Sequence, residues 1–416
     1  MKAENKVITL KAELPAYGGF SIGRCNGKIV FIKNSIPGET IEARLEEKGD
    51  YYNASTIKIL EPSPDRVKPD CKFFGICGGC QLQYISYPRQ IVLKEKVLKD
   101  SLKRIGKINM QLSESLFDSN PFYYRHRGQF KVSNGKIGFY KKKTTEVVEI
   151  DNCLLMIDEI NEYLLKAHNI LKNRQYAAVI REMHISCKDK VVVLIKVRAN
   201  HLLKWDKLAS ELMQEGFHGV FIDSGRRLFK YGRHYITFDL EDLKYTISPM
   251  SFFQSHWRLN QKVVRFIRDN LQPFDGKRIL DLYSGAGNFS LPIAHEAGEV
   301  IAVEENPFAI EDGKRNLQIN GIKGYRFILS SIENLNIKES VDILILDPPR
   351  SGLTNAAIYK ILAMAPKKIA YISCNPATFA RDLRKLLAGY ELQSIRMIDF
   401  FPHTYHIESL AFLRMK

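Results

Sequence analysis

A cysteine and a glutamate near the C-terminus are the residues best suited to catalysis. Cys374 lies in Ser373-Cys374-Asn375-Pro376, directly after a strand-like run, and Glu408 opens the last strand-like run. A thiolate that adds to C6 of a pyrimidine makes C5 able to attack a methyl group, and a carboxylate can then remove the C5 proton. We therefore expect Cys374 to be the nucleophile and Glu408 the base. The alternatives are an inert buried thiol and a surface carboxylate.

A second loop, Asp347-Pro348-Pro349-Arg350, follows the preceding strand-like run. By itself this loop suggests methylation of an amino group on a planar substrate. An amine already has a lone pair and needs no thiol, so Cys374 favours methylation at carbon. An amino methyltransferase nevertheless remains an alternative.

A glycine-containing loop, Asp281-Leu282-Tyr283-Ser284-Gly285-Ala286-Gly287-Asn288, suggests a nucleoside site. We expect it to open a helix, with Gly285 and Gly287 letting a ligand approach the backbone. Glu304, at the end of the next strand-like run, is placed to bind ribose hydroxyls. Ser290 stands where a dinucleotide fingerprint has its third glycine. This pattern favours S-adenosylmethionine (SAM) over NAD or a ligand-free tight turn.

The segments around these loops predict a mostly parallel sheet. Continuous β-branched and leucine runs, separated by helical stretches, indicate strands buried on both faces. They lie at 278–283, 299–304, 325–329, 341–346 and 368–373, and runs near 394–400 and 408–414 could form a terminal hairpin. We assign residues 248–416 to an α/β, Rossmann-like catalytic domain.

Four cysteines suggest a metal centre. Cys71, Cys77 and Cys80 lie within ten residues, and Cys153 is the best candidate for a fourth ligand. Four thiolates suit either zinc or a 4Fe–4S cluster. The spacing differs from the Cys-x3-Cys-x2-Cys loop of radical-SAM enzymes. The odd total of seven cysteines also argues against a disulfide framework.

The charge distribution predicts a polyanionic partner. The chain carries 62 Lys and Arg against 46 Asp and Glu, and residues 63–150 alone hold 17 against 8. Aromatic residues alternate with cations over 123–143, a pattern suited to single-stranded RNA. The alternative is a solvated lysine face over core aromatics. The RNA-contact candidates are Arg125, Arg127, Lys141, Lys142 and Lys143.

The remaining segments complete a three-part organisation. Short strands punctuated by turn residues predict an OB-type β-barrel over 1–62. Residues 63–247 form a central basic α+β domain, in which Asn134-Gly135 predicts a hairpin turn and an apolar stripe predicts a helix over 91–106. This helix is a candidate to pack on the catalytic domain. No apolar run approaches the length of a membrane span, and the first eleven residues lack a signal-peptide core.

Several of these motifs together resemble the RNA 5-methyluridine methyltransferases. They are Asp-Leu-Tyr-Ser-Gly-Ala-Gly-Asn (281–288), Asp-Pro-Pro-Arg (347–350), Ser-Cys-Asn-Pro (373–376) and His-Ile-Glu-Ser (406–409), in that order. The stretch 248–254 resembles the motif with which the family's catalytic domain begins. Residues 1–60 resemble its TRAM RNA-binding barrel.

This resemblance implies roles for particular residues. It implies Cys374 as nucleophile, Glu408 as base and Phe252 as the residue that stacks on an extruded base. It further implies a 4Fe–4S cluster on the four cysteines, and contacts to SAM and uracil from Gln254, Tyr283, Gly285, Asn288, Glu304 and Asp347. Two departures are Ser284, where a cysteine is common, and Leu329-Ser330-Ser331, which lacks the polar group that contacts adenine in some relatives.

The sequence therefore predicts a cytoplasmic, monomeric enzyme that forms 5-methyluridine in RNA. Ribosomal RNA is favoured over transfer RNA, because the family's ribosomal members carry the barrel and the cluster whereas some tRNA members lack them. The alternatives are a tRNA uracil-C5 methyltransferase, an RNA cytosine-C5 methyltransferase and a non-catalytic RNA-binding assembly factor.

Overall fold

The computed structural model describes residues 6–198, 204–337 and 339–416. The strands are β1 (Val7–Lys11), β2 (Leu14–Ala16), β3 (Phe20–Cys25), β4 (Lys28–Lys33), β5 (Thr40–Glu47), β6 (Tyr51–Glu61), β7 (Arg127–Ser133), β8 (Lys136–Tyr140), β9 (Val147–Glu149), β10 (Ile180–Cys187), β11 (Val191–Val197), β12 (Gly219–Asp223), β13 (Leu228–Gly232), β14 (Ile236–Leu240), β15 (Leu243–Ile247), β16 (Arg278–Leu282), β17 (Glu299–Glu304), β18 (Tyr325–Leu329), β19 (Ile343–Leu346), β20 (Lys368–Ser373), β21 (Tyr390–Ile398) and β22 (Glu408–Met415). The α-helices are α1 (Tyr87–Ser101), α2 (Asp158–Leu171), α3 (Arg174–Val179), α4 (Trp205–Gln214), α5 (Trp257–Leu271), α6 (Pro307–Ile319), α7 (Asn355–Met364) and α8 (Pro376–Leu386).

The first six strands form a barrel. Their order is β1-β5-β6-β4-β3-β2, with only β4 and β6 parallel. Strand β1 pairs with β5 at one end of the sheet, and β2 pairs with β3 at the other end. Because β2 directly follows β1 in the chain, the two ends of the sheet meet. Alternate residues such as Val30, Ile32 and Ile41 fill the interior. The first five residues of the expected 1–62 barrel lie outside the described residues.

The central region is built on a second sheet, ordered β13-β12-β11-β10-β7-β8-β9. Asn134 and Gly135 have φ of 52° and 77° and join β7 to β8, so the predicted hairpin turn is present. Helices α2 and α4 cover the sheet through a core that includes Ile160, Leu164 and Leu208.

The C-terminal sheet has the order β18-β17-β16-β19-β20-β22-β21. Strands β16 to β20 are parallel, and β22 runs antiparallel to both β20 and β21. The predicted parallel sheet and terminal hairpin are therefore both present. The order reverses between β16 and β19, and ligands bind at such a point, beyond the carboxyl ends of the strands.

Helix α1 lies against this C-terminal sheet. Its stripe of Ile91, Val97 and Leu98 shares a core with Leu383 of α8 and Tyr390 of β21. The helix begins at Tyr87, four residues before the predicted start, because Pro88 suits the first turn. It continues through a π-turn over Leu102–Gly106. None of the helices in the described ranges is long and apolar enough to span a membrane.

Candidate active site

Cys374 and Glu408 meet at the carboxyl edge of the C-terminal sheet. In the antiparallel pair of β20 and β22, Ser373 lies opposite Ser409 in the last paired position, and Cys374 and Glu408 are the residues next to this position on the two chains. Asp347 follows the neighbouring strand β19. One cleft thus holds a half-buried thiol, a buried carboxyl and a half-buried carboxyl.

Burial and mutual repulsion govern the charges in this cleft. Burial, followed by the nearby Glu408 and Asp347, raises the pKa of Cys374 to about 11, while Arg350 acts in the opposite direction. Burial raises the pKa of Asp347 to about 7. Burial, Asp347 and Asp399 raise the pKa of Glu408 well above its usual range. The Oε2 atom of Glu408 has no hydrogen-bond partner in the described structure, so it is free to meet a substrate proton.

The Glu304 carboxylate accepts three backbone hydrogen bonds, one from the loop after β16 and two from the residues that follow Glu304. Gly285 N–H donates to Oε2 at 2.9 Å, and the N–H groups of Glu305 and Asn306 donate to Oε1 at 2.9 and 2.8 Å. Carboxylate oxygens retain further lone pairs for ligand hydroxyls. Tyr283 has φ +62°, which turns the chain sharply at the end of β16. These contacts fit the predicted ribose site.

The prediction that this loop opens a regular helix is wrong. Turns are followed only by a 3₁₀ segment, Leu291–Ile293. A buried polar cluster holds the chain there instead: Ser290 Oγ donates to Asp281 and contacts Tyr325 Oη at 2.7 Å. Ser290, which stands at the position of the third fingerprint glycine, therefore uses its hydroxyl for hydrogen bonds to other residues of the protein.

Asn288 forms an amide pair with Asn260 of α5. Asn260 Nδ2 donates to Asn288 Oδ1 at 2.8 Å, and Asn288 Nδ2 donates to Asn260 Oδ1 at 3.0 Å. This pairing fixes the Asn288 side chain beside the loop and links it to α5.

Phe252 and Gln254 lie on a loop that is fastened from two sides. Phe252 is 66% exposed, whereas Gln254 is buried. Asp312 Oδ2 accepts hydrogen bonds from the hydroxyls of Ser248 and Ser251. The exposed ring on a fixed loop is available to stack on a base.

Arg127 holds the Phe252 loop from the other side. The prediction that Arg127 contacts RNA is therefore wrong. Its guanidinium is buried, donates to the carbonyl oxygens of Ser251 (2.7 Å) and Ser248 (3.3 Å), and lies 4.3 Å from the Phe253 ring centroid. A group enclosed in this way cannot reach RNA phosphate. Its contacts position the Phe252 loop.

The other cationic candidates differ in their exposure to solvent. Arg125 is only partly exposed and lines the cavity that holds the cysteines. Lys141, Lys142 and Lys143 are all exposed, and Lys142 Nζ lies 5.7 Å from the Phe20 ring of the barrel. The lysine loop therefore presents positive charge at the junction of the barrel and the central region.

The four cysteines expected to bind metal line one cavity of about 260 Å³. Burial raises the pKa values of Cys77, Cys80 and Cys153, to about 12 for Cys80 and about 11 for Cys153. Across the described residues, no three His, Cys, Asp or Glu side chains are arranged to hold a metal ion. The four thiols thus line a shared space, and Cys153, Cys77 and Cys71 are close enough to contribute to the raised pKa of Cys80.

Four further residues at the site escaped the sequence prediction. Lys94 of α1 is 3% exposed and pairs with Asp399, while Gln90 is completely buried. Tyr17 of the barrel reaches the site, where its hydroxyl lies 3.4 Å from Arg350. The helical periodicity could have shown that Lys94 is buried, because Lys94 stands three residues after Ile91 and four before Leu98 and so lies on the apolar stripe.

The family described as tRNA (uracil-5-)-methyltransferase matches residues 86–416. An RNA methyltransferase from Aquifex aeolicus is 36% identical, covering 99% of this chain and 100% of the relative. The 23S rRNA (uracil(1939)-C(5))-methyltransferase RlmD of Shewanella amazonensis is 31% identical, covering 100% and 97%. The crystal structure of the Pyrococcus abyssi tRNA (uracil-54, C5)-methyltransferase with S-adenosyl-L-homocysteine has a TM-score of 0.79 and 27% identity, covering 97% of this chain and 99% of that one.

The sheet order, the hydrogen-bonded Glu304 carboxylate and these similarities define a SAM-dependent methyltransferase that acts on RNA. More narrowly, the chain belongs to the tRNA (uracil-5-)-methyltransferase family, and the reaction it catalyses is methylation of uracil at C5 in RNA.

Proposed function

We propose that this protein methylates C5 of a uridine in large-subunit ribosomal RNA through a covalent intermediate on Cys374. The observation that carries the proposal is the proximity of the Cys374 thiol, just after β20, to the buried Glu408 carboxyl at the start of β22, whose Oε2 has no hydrogen-bond partner among the described residues. This pair supplies the nucleophile and the base that methylation at C5 requires. An amino methyltransferase requires neither group. RNA cytosine-C5 methylation would use the same thiol, so the base identity rests on the family.

The first step is addition of Cys374 to the uracil ring. The Sγ–C6 bond forms, and the electron pair of the C5–C6 double bond moves towards O4, which makes C5 nucleophilic. SAM, when bound, supplies a methyl group on a positively charged sulfur, and that charge favours the thiolate. Glu304 would hold its ribose, with Tyr283, Gly285, Asn288, Asp347 and Gln254 lining the remainder of the site.

The second half of the reaction belongs to Glu408. After C5 has gained its methyl group, the carboxylate takes the C5 proton, the C5–C6 double bond reforms, and the Sγ–C6 pair returns to sulfur. A buried carboxyl with a raised pKa is a stronger base than an exposed one, which suits a carbon acid. Phe252 would receive the extruded base by stacking, since its ring is exposed beside the buried Gln254.

We propose that the four cysteines hold a 4Fe–4S cluster. Four thiolates suit either zinc or a 4Fe–4S cluster, and the family resemblance favours the cluster. The shared cavity suits a group that is larger than one ion. Cys71, Cys77, Cys80 and Cys153 would be the ligands, and the bound cluster would brace the cysteine-containing segment against β8. Anaerobic purification followed by a visible spectrum tests this: an iron–sulfur absorption band supports it, and a colourless zinc-loaded protein contradicts it.

A tRNA substrate is the second candidate. The similarity to the archaeal tRNA enzyme extends over 97% of this chain, so the barrel does not separate ribosomal from transfer RNA enzymes. Ribosomal RNA is favoured by the Shewanella relative, which covers the whole chain. Methylation of unmodified 23S rRNA fragments and tRNA transcripts, compared by kcat/KM, distinguishes the two.

The covalent mechanism is tested with RNA that contains 5-fluorouridine. Fluorine cannot leave C5 as a proton does, so the adduct should persist on a denaturing gel in the presence of SAM. We expect a band that disappears in Cys374→Ala. A wild-type protein that methylates uridine RNA yet gives no such band would refute the proposed intermediate.

A further inference from the structure

The segment 399–407, here termed the base loop, contains a residue in an unfavourable backbone conformation. His403 has φ +65°, a region that a residue with a side chain occupies only when its surroundings hold it there. Its N–H donates to Gln90 Oε1 at 3.0 Å, and its carbonyl oxygen accepts from the N–H groups of Gln81 and Leu82 at 3.0 and 2.9 Å. The Phe122 ring stacks on the imidazole at 4.3 Å. Every one of these partners lies outside the C-terminal sheet.

Two side chains of helix α1 form hydrogen bonds to the base loop. Gln90 and Lys94 are four residues apart, so they face the same side of the helix. Lys94 Nζ donates to Asp399 Oδ1 at 2.6 Å and to the carbonyl oxygen of Phe401 at 3.0 Å. Gln90 holds the His403 backbone, and its Nε2 lies 3.1 Å from His403 Nδ1. The start and the middle of the base loop are thereby fixed to one rigid element.

The base loop leads directly into Glu408. Asp399 follows Ile398, which lies opposite Glu408 in the pair of β21 and β22. Since Glu408 Oε2 has no hydrogen-bond partner among the described residues, contacts of its own carboxyl do not fully fix the side chain, and the backbone that carries it must do so. Movement of the base loop would therefore move the base relative to the substrate C5 proton.

Packing alone does not explain these two polar residues. The apolar stripe of α1 already joins the core of the sheet. A buried lysine and a buried glutamine each have a desolvation cost, which apolar residues at the same positions would avoid. Their contacts are concentrated on the base loop and on the adjoining Leu82 and Ile85 carbonyl oxygens.

We propose that Gln90 and Lys94 are positioning residues that hold Glu408 in place for proton removal. This inference rests on the proposed covalent mechanism. Because Gln81 and Leu82 follow Cys80 directly and bind the same His403 carbonyl oxygen, the cysteine segment is tied to the same loop.

The test is the fate of the covalent intermediate in Gln90→Leu. With uridine RNA and SAM, Cys374 addition and methyl transfer should proceed, while release is slowed by roughly 10- to 100-fold, as for a displaced catalytic group. The methylated adduct should then accumulate on a denaturing gel. Adduct formation with 5-fluorouridine RNA, which needs no proton removal, should keep the wild-type rate.

Two further variants make the result specific. Asn316→Leu is a matched control, because Asn316 is also a fully buried amide with several hydrogen bonds, all of them remote from the base loop. It should accumulate no adduct. The double variant Lys94→Met with Asp399→Asn removes both charges together, so that no buried ion is left unpaired, and it should also accumulate adduct.

Three outcomes would overturn the inference. They are equal loss of methylation and of fluorouridine adduct in Gln90→Leu, release at the wild-type rate in that variant, and adduct accumulation in Asn316→Leu. Failure of the wild-type protein to form any adduct with 5-fluorouridine RNA would instead refute the proposed function, so the two failures are distinguishable.

Discussion

Cys374 should ionise at an unusually high pH when SAM is absent. Burial, Glu408 and Asp347 raise its pKa from 9.0 to about 11. Each pKa unit is a factor of ten in thiolate, so near pH 8 roughly 100-fold less thiolate is present than in an ordinary cysteine. The neutral thiol is favoured below the raised pKa, and reactivity should appear only as the pH approaches 11.

The assay is alkylation of the Cys374 peptide by iodoacetamide as a function of pH, quantified by mass spectrometry. The pH at which the alkylation rate is half-maximal (the midpoint) reports ionisation of the Cys374 thiol. Access of iodoacetamide to the thiol changes only the maximal rate at high pH. Glu408→Gln should lower the midpoint, since Glu408 is the second cause of the raised pKa. SAM should also lower it through its positive sulfur.

S-adenosyl-L-homocysteine is the matched ligand control, because it fills the same site without the positive charge. It should leave the midpoint near that of the free protein. A midpoint near 9 in the free protein would refute the electrostatic reasoning. Identical midpoints with the two ligands would show that the cofactor charge does not activate the thiol.

Two other predictions concern the basic surface and the buried ion pair. Reversing the charges of Lys141, Lys142 and Lys143 should weaken RNA binding and reduce its salt dependence, with SAM affinity unchanged; equal loss of both in binding titrations would contradict the surface assignment. Lys94→Met should lower the free energy of unfolding by about 3–5 kcal/mol, because it leaves Asp399 charged, buried and unpaired. Adding Asp399→Asn should recover most of that loss in urea unfolding, and failure to recover would mean that the pair contributes net stability.

The strands of the catalytic sheet could be predicted because they are buried on both faces. Continuous apolar runs gave β17, β18 and β20 with the observed bounds. The loops that follow such strands must share one edge of the sheet, and this predicts that Asp347 and Cys374 lie close together. The path of the loop after β16 could not be predicted, because the burial of Ser290 against Asp281 depends on tertiary packing.

The second error at the site concerns a cation. Composition alone cannot tell a solvated arginine from one that is enclosed by carbonyl oxygens, and Arg127 proved to be the latter. The sequence also gave no sign of the ion pair between Lys94 and Asp399, both of which are buried. Each of these contacts joins segments far apart in the chain, which residue spacing does not report.

The covalent intermediate on Cys374 can be identified by mass spectrometry of the Glu408→Gln protein after incubation with uridine RNA and SAM. Cys374 and the methyl donor remain in place in this variant, but the C5 proton has no acceptor. We expect a stable protein–RNA species in which the Cys374 peptide carries a nucleotide heavier than uridine by one methyl group. Normal turnover without this species, or a crosslink at any other residue, would contradict it.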